Sequence, residues 1–262
     1  MTPDLALLKD AAVEAGKVAL RVLGEGLEIK SKPGGSPVTN GDIAANERLR
    51  EILRPARADY GWLSEEDPDN TERLTTKRVF VIDPIDGTAA YLKHREYWSV
   101  SIAIVEDGRP VAGVVYAPAL DQIYEAAIGD GARLNGELIR VSDCTAEAGC
   151  SMLGDAKMFA HSSWPTPWPE MRIESRNSVA YRMCLVAAGE FDACLAPSRK
   201  MDWDLAAADL IVSEAGGLST DHKGGPFTYN GPNPQQASLV CAGPALHPLL
   251  LGRLSHIELR KA

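Results

Sequence analysis

The segment Val79-Phe80-Val81-Ile82 runs directly into Asp83-Pro84-Ile85-Asp86-Gly87-Thr88. The first four residues are β-branched or aromatic, so they predict a buried strand, which we expect to end where the first aspartate begins. In the turn that follows, Pro84 restricts the backbone and Gly87 lets it approach a ligand closely. Two carboxylates therefore stand at the end of a buried strand, which makes them candidates for chemistry.

The two acids of this turn are candidate metal ligands. Mg²⁺ prefers oxygen ligands and keeps several waters, so Asp83, Asp86 and the oxygen atoms of a substrate could complete its shell. If Thr88 begins a helix, the N–H groups of Gly87 and Thr88 also point towards an anion. The alternative is an acidic surface turn, because Asp-Pro and Asp-Gly pairs are common in loops. The turn by itself leaves both interpretations open.

Three further acidic residues are equally ambiguous when each is taken alone. Asp42 is predicted to begin the second helix, and Asp204 is predicted to open a helix that is closed by Gly216-Gly217. Glu65 belongs to a pair of glutamates, which are usually solvated. An aspartate at a helix start often serves only as a cap. None of the three establishes a site without the others.

Together these features resemble the inositol monophosphatase family of lithium-sensitive, Mg²⁺-dependent phosphatases. The order and spacing agree over most of the chain. The matching segments are Ser36-Pro37-Val38-Thr39 with Asp42, Leu63-Ser64-Glu65-Glu66, the turn from Asp83 to Thr88, and Trp203-Asp204-Leu205-Ala206-Ala207 running to Glu214-Ala215-Gly216-Gly217. The resemblance implies a phosphoric monoester hydrolase with an α+β fold. In this family that fold is a layered α-β-α-β-α sandwich, usually assembled as a homodimer.

The resemblance also implies a set of metal ligands. Glu65, Asp83 and the backbone carbonyl of Ile85 would bind a first Mg²⁺. Asp83, Asp86 and Asp204 would bind a second, and a third, weaker ion near Glu65 is a further expectation. The cofactor is therefore expected to be two or three Mg²⁺ ions.

The expected catalytic residues are Asp42, Thr88 and Glu65. By resemblance, Thr88 is hydrogen-bonded to Asp42, so that it orients the attacking water and helps to deprotonate it. No serine, cysteine or histidine nucleophile is required. The expected substrate contacts near the metals are Asp86, Gly87, Thr88 and Asp204.

The rest of the chain predicts mixed α and β structure. Apolar residues at steps of three and four predict a first helix that ends near Gly24 to Gly26. The segments 99–105 and 111–116, joined by a turn at Asp107-Gly108, predict a β-hairpin. We find no linker, so residues 1–262 are expected to form one phosphatase domain. Two packed lobes, 1–140 and 141–262, would hold the site between them.

Composition limits the partners of this chain of 262 residues. A formal net charge of −9 opposes binding to a nucleic-acid polymer, which is held mainly by Lys and Arg. No stretch approaches the roughly 20 apolar residues of a membrane helix, and the N-terminus lacks a signal-peptide pattern. We therefore expect a cytoplasmic protein whose partner is a small phosphorylated substrate. The five cysteines show no metal-ligand spacing and predict reduced thiols.

The resemblance leaves the substrate open among inositol phosphates, 3′-phosphoadenosine 5′-phosphate, fructose 1,6-bisphosphate and histidinol phosphate. Two segments, from Tyr116 to Gly136 and from Met183 to Ala187, look like the inositol phosphatases. Two others, from Ser36 to Thr39 and from Phe227 to Asn230, look more like the bacterial bisphosphate nucleotidases. The clues from sequence therefore divide.

A basic pair decides our preference. Where inositol phosphatases carry a sugar-contacting glutamate, this chain has Ala196-Pro197, followed after Ser198 by Arg199 and Lys200. These two cations could hold the second phosphate of a bisphosphate, although a solvated basic turn is the alternative. We favour a 3′(2′),5′-bisphosphate nucleotidase, which converts adenosine 3′,5′-bisphosphate to AMP and phosphate. Inositol-1-phosphate phosphatase is the alternative, and a non-catalytic, protein-binding member of the family is a remoter one.

Overall fold

The structure is a computed structural model that describes residues 2–31, 37–162 and 164–258. Ser36 of the first matching segment lies outside the described residues. Within these ranges a short 3₁₀ helix spans Thr71–Thr75. The α-helices are α1 (Pro3–Glu25), α2 (Asn40–Ala56), α3 (Thr88–Tyr91), α4 (Ala156–Phe159), α5 (Val179–Ala187), α6 (Asp202–Glu214) and α7 (His247–Leu254).

Two short strands, β1 (Ile29–Ser31) and β2 (Pro37–Thr39), form an antiparallel ribbon ahead of α2. A larger sheet of seven strands follows in simple chain order, with β3 parallel to β4 and all later neighbours antiparallel. Its strands are β3 (Gly61–Ser64), β4 (Arg78–Asp86), β5 (Ser99–Glu106), β6 (Arg109–Ala117), β7 (Gln122–Ala127), β8 (Ala132–Leu134) and β9 (Glu137–Leu138).

The predicted hairpin is confirmed as β5 and β6 of this sheet. Its turn residues Asp107 and Gly108 have φ angles of 50° and 76°. A two-residue hairpin turn of this kind needs positive φ at both central positions, which aspartate tolerates and glycine adopts freely.

A second sheet has five strands in the order β11-β10-β12-β16-β14. The first three strands are mutually parallel, and β16 runs antiparallel to β12 and β14. The strands are β10 (Ser151–Leu153), β11 (Arg172–Glu174), β12 (Ala193–Ala196), β14 (Leu218–Thr220) and β16 (Leu239–Ala242), with β13 (Lys200–Met201) and β15 (Gln235–Gln236) forming a separate ribbon.

The two sheets and the helices form five layers. On the first sheet, Phe80 and Ile82 pack towards α1 and α2, while the alternating Val79 and Val81 face α5 and α6. The other side of α5 and α6 meets one face of the second sheet, whose opposite face packs against α7. This order confirms the α+β sandwich expected from the resemblance. The central buried cluster draws residues from both 1–140 and 141–262, and the division into two lobes stays a prediction.

The N-terminal helix ends where the sequence predicted. Helix α1 runs from Pro3 to Glu25, and Gly26 follows it with a φ of 119°, which a residue with a side chain rarely adopts. None of the helices within the described ranges combines the length and apolar character that a bilayer crossing requires. All five cysteines are free thiols, as expected.

Helix α6, between the sheets, carries a carboxylate whose burial has a measurable cost. Burial raises the pKa of Asp209 to about 6, although the Tyr229 hydroxyl donates a hydrogen bond to it (2.9 Å) and Arg109 lies near. Because the folded-state pKa exceeds the unfolded value, this group favours the folded state at low pH. That contribution is lost as the pH rises from about 4 through 6.

We therefore expect Asp209→Asn to raise the free energy of unfolding at pH 8, by up to about 3 kcal/mol for a shift of roughly two pKa units. The gain over wild type should shrink as the pH is lowered towards 4, since the wild-type carboxyl is then protonated. Urea unfolding of both proteins from pH 4.5 to 8 measures this difference. An equal free energy at pH 8, or a gain that does not depend on pH, would contradict the assignment.

Candidate active site

The site begins at the end of β4, which continues further than the sequence predicted. We expected the strand to stop at Asp83, but β4 extends to Asp86. Its pairing with β5 shifts between these residues, with Asp83 opposite Ser101 and Asp86 opposite Ser99. The strand end at Asp83 was therefore wrong, because pairing resumes after the irregularity. Both carboxylates are buried, at 2% and 5% exposure, and the Ile85 N–H donates to Asp83 Oδ1 (3.0 Å).

Gly87 holds a position that no other residue would fill without strain. Its φ is 95°, and a Cβ atom there would lie 3.0 Å from the backbone nitrogen of Ser178 and 3.2 Å from the carbonyl oxygen of Tyr97. The chain then enters α3 at Thr88, which confirms the predicted helix start. Gly87 thus lets the turn approach the residues that precede α5.

Asp42 and Thr88 meet, as the resemblance implied. The Thr88 hydroxyl lies 3.3 Å from Asp42 Oδ1, its hydrogen-bond acceptor, and 3.2 Å from the Ile85 carbonyl oxygen. The other carboxylate oxygen of Asp42 accepts both the backbone N–H (2.8 Å) and the hydroxyl (2.5 Å) of Thr39. Asp42 is buried at 1% exposure, so its orientation is fixed by these contacts.

Two helix starts differ from prediction by two residues. Helix α2 begins at Asn40, with Thr39 as its cap, and helix α6 begins at Asp202. Asp42 and Asp204 each occupy the third position of their helix. Each carboxylate accepts a hydrogen bond from the backbone N–H of the residue that precedes the helix. Their placement as opening residues was therefore wrong. Each carboxylate therefore lies over the first turn of its helix, on the side that faces the end of β4.

Asp83, Asp86 and Asp204 share one electrostatic environment with Glu65 and Asp42. Burial raises the pKa of Asp83 well above its usual range, and the charges of the other four add to this effect in the order Glu65, Asp86, Asp204 and Asp42. Burial, followed by the charge of Asp86, raises the pKa of Asp204 to about 7. Such repulsion is relieved when a cation binds among the carboxylates.

The donor set suits Mg²⁺ as an open site. Glu65 follows β3, and its N–H donates to the Ile82 carbonyl oxygen (3.1 Å), so it stands beside the strand that carries Asp83. Within residues 2–31, 37–162 and 164–258, no three acidic, histidine or cysteine side chains enclose a metal by themselves. Because Mg²⁺ keeps waters and takes substrate oxygens, buried carboxylates without a closed cage fit its chemistry.

Sequence reasoning missed how Asp86 is held. Its Oδ2 atom accepts hydrogen bonds from the Ser178 hydroxyl (2.6 Å) and from the Ala180 N–H (2.7 Å). Ser178 also caps α5, since its oxygen accepts the Tyr181 N–H (2.9 Å). Nothing in the sequence pattern linked Ser178 to an aspartate 92 residues earlier.

A cation that was also missed lies beside the carboxylates. Burial raises the pKa of Asp86, and hydrogen bonds from the start of α5, followed by the charge of Arg182 on the same helix, oppose that shift. The Arg182 Nε atom is buried and has no hydrogen-bond partner among the described residues. No sequence pattern distinguished this arginine from others on helix surfaces.

The two residues of the basic pair have different environments. Lys200 is partly buried, and burial lowers the pKa of its amino group while nearby Asp204 opposes that shift and Arg182 adds to it. Its Nζ atom donates to the Ser198 hydroxyl (2.9 Å) and to the Arg199 carbonyl oxygen (3.0 Å). Arg199 is exposed. Lys200 therefore lies within electrostatic range of Asp86 and Asp204, and Arg182 within that of Asp86, whereas Arg199 stands at the surface.

Comparison with known proteins places the chain in a family. A model of the inositol monophosphatase family matches residues 1–258. The chain is 33% identical to a histidinol-phosphatase of Mycobacterium tuberculosis over 95% of each protein, and 32% identical to an inositol-1-monophosphatase of Rhizobium meliloti over 90% of each. It is also 32% identical to the 3′(2′),5′-bisphosphate nucleotidase CysQ of Shigella flexneri, with 78% of this chain and 83% of the relative covered.

Solved structures of similar proteins support the same family. An inositol monophosphatase from Thermotoga maritima superposes with a TM-score of 0.83 at 28% identity, covering 97% of each chain. Enzymes of this family are metal-dependent phosphatases, generally with Mg²⁺, and the relatives differ in the substrate that their names give. The match over nearly the whole chain shows that this protein belongs to the inositol monophosphatase family and is a phosphoric monoester hydrolase.

Proposed function

We propose that the chain is a Mg²⁺-dependent 3′(2′),5′-bisphosphate nucleotidase. The observation that carries this choice is the pair Arg182 and Lys200, two cations beside the carboxylate site with no carboxylate ion-pair partner among the described residues. Such a pair suits an additional phosphate group on the substrate. The relationship to a bisphosphate nucleotidase supports the same substrate class.

The metal sites that we propose are those implied by the resemblance. Glu65, Asp83 and the Ile85 carbonyl hold one Mg²⁺, Asp83 with Asp86 and Asp204 holds another, and a third, weaker ion near Glu65 belongs to the same proposal. Bound Mg²⁺ lowers the pKa of water and offsets negative charge on phosphate oxygens. The electrostatic coupling of these carboxylates supports the assignment.

The chain's own residues supply orientation and a proton acceptor. Thr88 donates its proton towards Asp42, which leaves an oxygen lone pair free to accept a proton from the attacking water. Gly87 and Thr88 begin α3 next to the buried carboxylates, where their N–H groups can meet a phosphate oxygen. The Asp42–Thr88 contact also disfavours the non-catalytic alternative, because a binding protein needs no pair that activates water.

Charge separates the candidate substrates. Histidinol phosphate carries a cationic amine, which Arg182 and Lys200 would repel. Inositol phosphate carries no charge other than its single phosphate. Its ring would therefore be neither attracted nor repelled by the charges of Arg182 and Lys200. The relationship to an inositol-1-monophosphatase keeps it as the second candidate. For Arg199, which is exposed, we propose only a screened electrostatic contribution to phosphate binding.

Side-by-side kinetics test the substrate. We expect Arg182→Ala and Lys200→Ala each to lower kcat/KM for adenosine 3′,5′-bisphosphate about tenfold or more, because a charge-assisted hydrogen bond contributes about 1.5 to 3 kcal/mol. Turnover of inositol 1-phosphate should change little. Lys157→Ala, which removes one exposed positive charge from α4, is the matched control and should affect neither substrate.

Equal losses on both substrates would contradict the nucleotidase assignment and would place inositol phosphate first. No loss on either substrate would show that the two cations are not a phosphate site. Absence of turnover with both substrates and added Mg²⁺, in wild-type protein that is folded, would support histidinol phosphate or the non-catalytic alternative instead.

A further inference from the structure

Asn46 is a buried amide that lies next to the site without belonging to it. It stands one helical turn after Asp42 on α2 and is 2% exposed. Its Oδ1 atom accepts a hydrogen bond from the Ser64 hydroxyl (2.7 Å), and its Nδ2 atom donates to Asp67 Oδ2 (3.1 Å). These two partners flank Glu65 in the chain. One amide therefore holds both ends of the turn that carries Glu65.

Asp67 is the second anchor of this turn. The same Oδ2 atom accepts the Trp62 indole N–H (2.6 Å), and Arg50 of α2 pairs with Oδ1. These three hydrogen bonds fix the Asp67 side chain. Asp42, Asn46 and Arg50 are spaced four residues apart and therefore share one face of α2. The turn is fixed to the same helix face that presents Asp42 to Thr88.

We propose that Asn46 is a positioning residue that sets the place of Glu65 relative to Asp42. This inference rests on the proposed role of Glu65 as a metal ligand. The chemistry requires an amide, since Ser64 needs an acceptor and Asp67 needs a donor. An aspartate at this position would keep the acceptor, but it would lose the donor and set two carboxylates against each other.

The turn needs such an anchor because its neighbours repel it. The Glu65 N–H donates to the Ile82 carbonyl oxygen (3.1 Å), directly before Asp83, and carboxylates placed near each other repel when no cation lies between them. Ser64 is also buried, and its oxygen lies 3.4 Å from the Glu66 N–H, which shapes the turn directly after the strand. Loss of the Asn46 contacts should let this turn move outwards.

The test compares Mg²⁺ requirement and turnover in three variants. Asn46→Asp should raise the Mg²⁺ concentration for half-maximal turnover, or lower kcat, by about 10- to 100-fold, as expected for residues that orient metal ligands. Ser64→Ala should show a smaller rise. Arg48→Ala, which removes surface ion pairs from the same helix, is the matched control.

The proposal is overturned if Asn46→Asp and Ser64→Ala only lower the free energy of unfolding and keep the Mg²⁺ requirement and kcat of the Arg48→Ala control. If Asn46→Asp does not fold, Ser64→Ala decides, since an unchanged Mg²⁺ requirement contradicts the proposal. Glu65→Gln tests the assumption that Glu65 is a metal ligand independently of Asn46. Wild-type turnover in that variant would refute the proposed role of Glu65, whatever the Asn46 variants show.

Discussion

Asp83→Asn is expected to abolish turnover while leaving the protein at least as stable as wild type. The carboxylate is proposed to touch two Mg²⁺ ions, and loss of several kcal/mol of transition-state stabilisation corresponds to at least about a 10³-fold fall in rate. Burial and four neighbouring carboxylates already raise its pKa, so the neutral amide removes repulsion from the metal-free protein. We therefore expect an equal or higher thermal midpoint without Mg²⁺.

A half-buried carboxylate outside the site, that of Asp192, provides the opposite control. Although burial opposes it, hydrogen bonds from Ser142 and Ser151 lower the pKa of Asp192, which shows that its charge is stabilised in the fold. Asp192→Asn should lower the thermal midpoint and leave the Mg²⁺-dependent kcat unchanged. Wild-type turnover in Asp83→Asn, or turnover of the wild type that persists in excess chelator, would refute the metal mechanism.

The parts of the fold that local sequence determines were predictable. The strand before Asp83, the hairpin with its Asp107-Gly108 turn and the helix that ends just before Gly26 all depend on short-range periodicity and turn chemistry. Motif order was enough to identify the family and its layered sheets. Helix starts at Asp42 and Asp204 were displaced by two residues, because a carboxylate at the third helical position looks in sequence like a cap.

What escaped prediction depends on contacts between distant segments. Ser178 holds Asp86 across the gap between the first sheet and α5, and Asn46 holds Ser64 across the gap between α2 and β3. Single polar residues of this kind carry no periodic signal. Arg182 was missed for the same reason. The sequence also did not show which of the neighbouring cations Arg199 and Lys200 would be buried. In the structure Lys200 is partly buried and Arg199 is exposed.

The second large effect is expected from Thr88→Ala, which should lower kcat by about 10²- to 10⁴-fold, the usual contribution of a general base. We propose that its hydroxyl stands between Asp42 and the attacking water, and 3.3 Å separates it from the carboxylate oxygen. Mg²⁺ affinity, measured by calorimetry, should change little, because Thr88 is not a proposed ligand. Thr88→Ser keeps the hydroxyl and should retain most of the activity.

Asp42→Asn tests whether the two residues act as a unit. The amide can still accept the Thr88 proton in a hydrogen bond but cannot take it up, so we expect a loss similar to that of Thr88→Ala. Residues that act together give non-additive effects, so the double variant should be little slower than either single one. Thr39 donates to the other carboxylate oxygen of Asp42, and this anchor is kept in Thr88→Ala but is lost where Asp42→Asn places an NH₂ group at that position. If the two losses multiply instead, Asp42 and Thr88 work independently, and proton transfer through Thr88 to Asp42 is excluded.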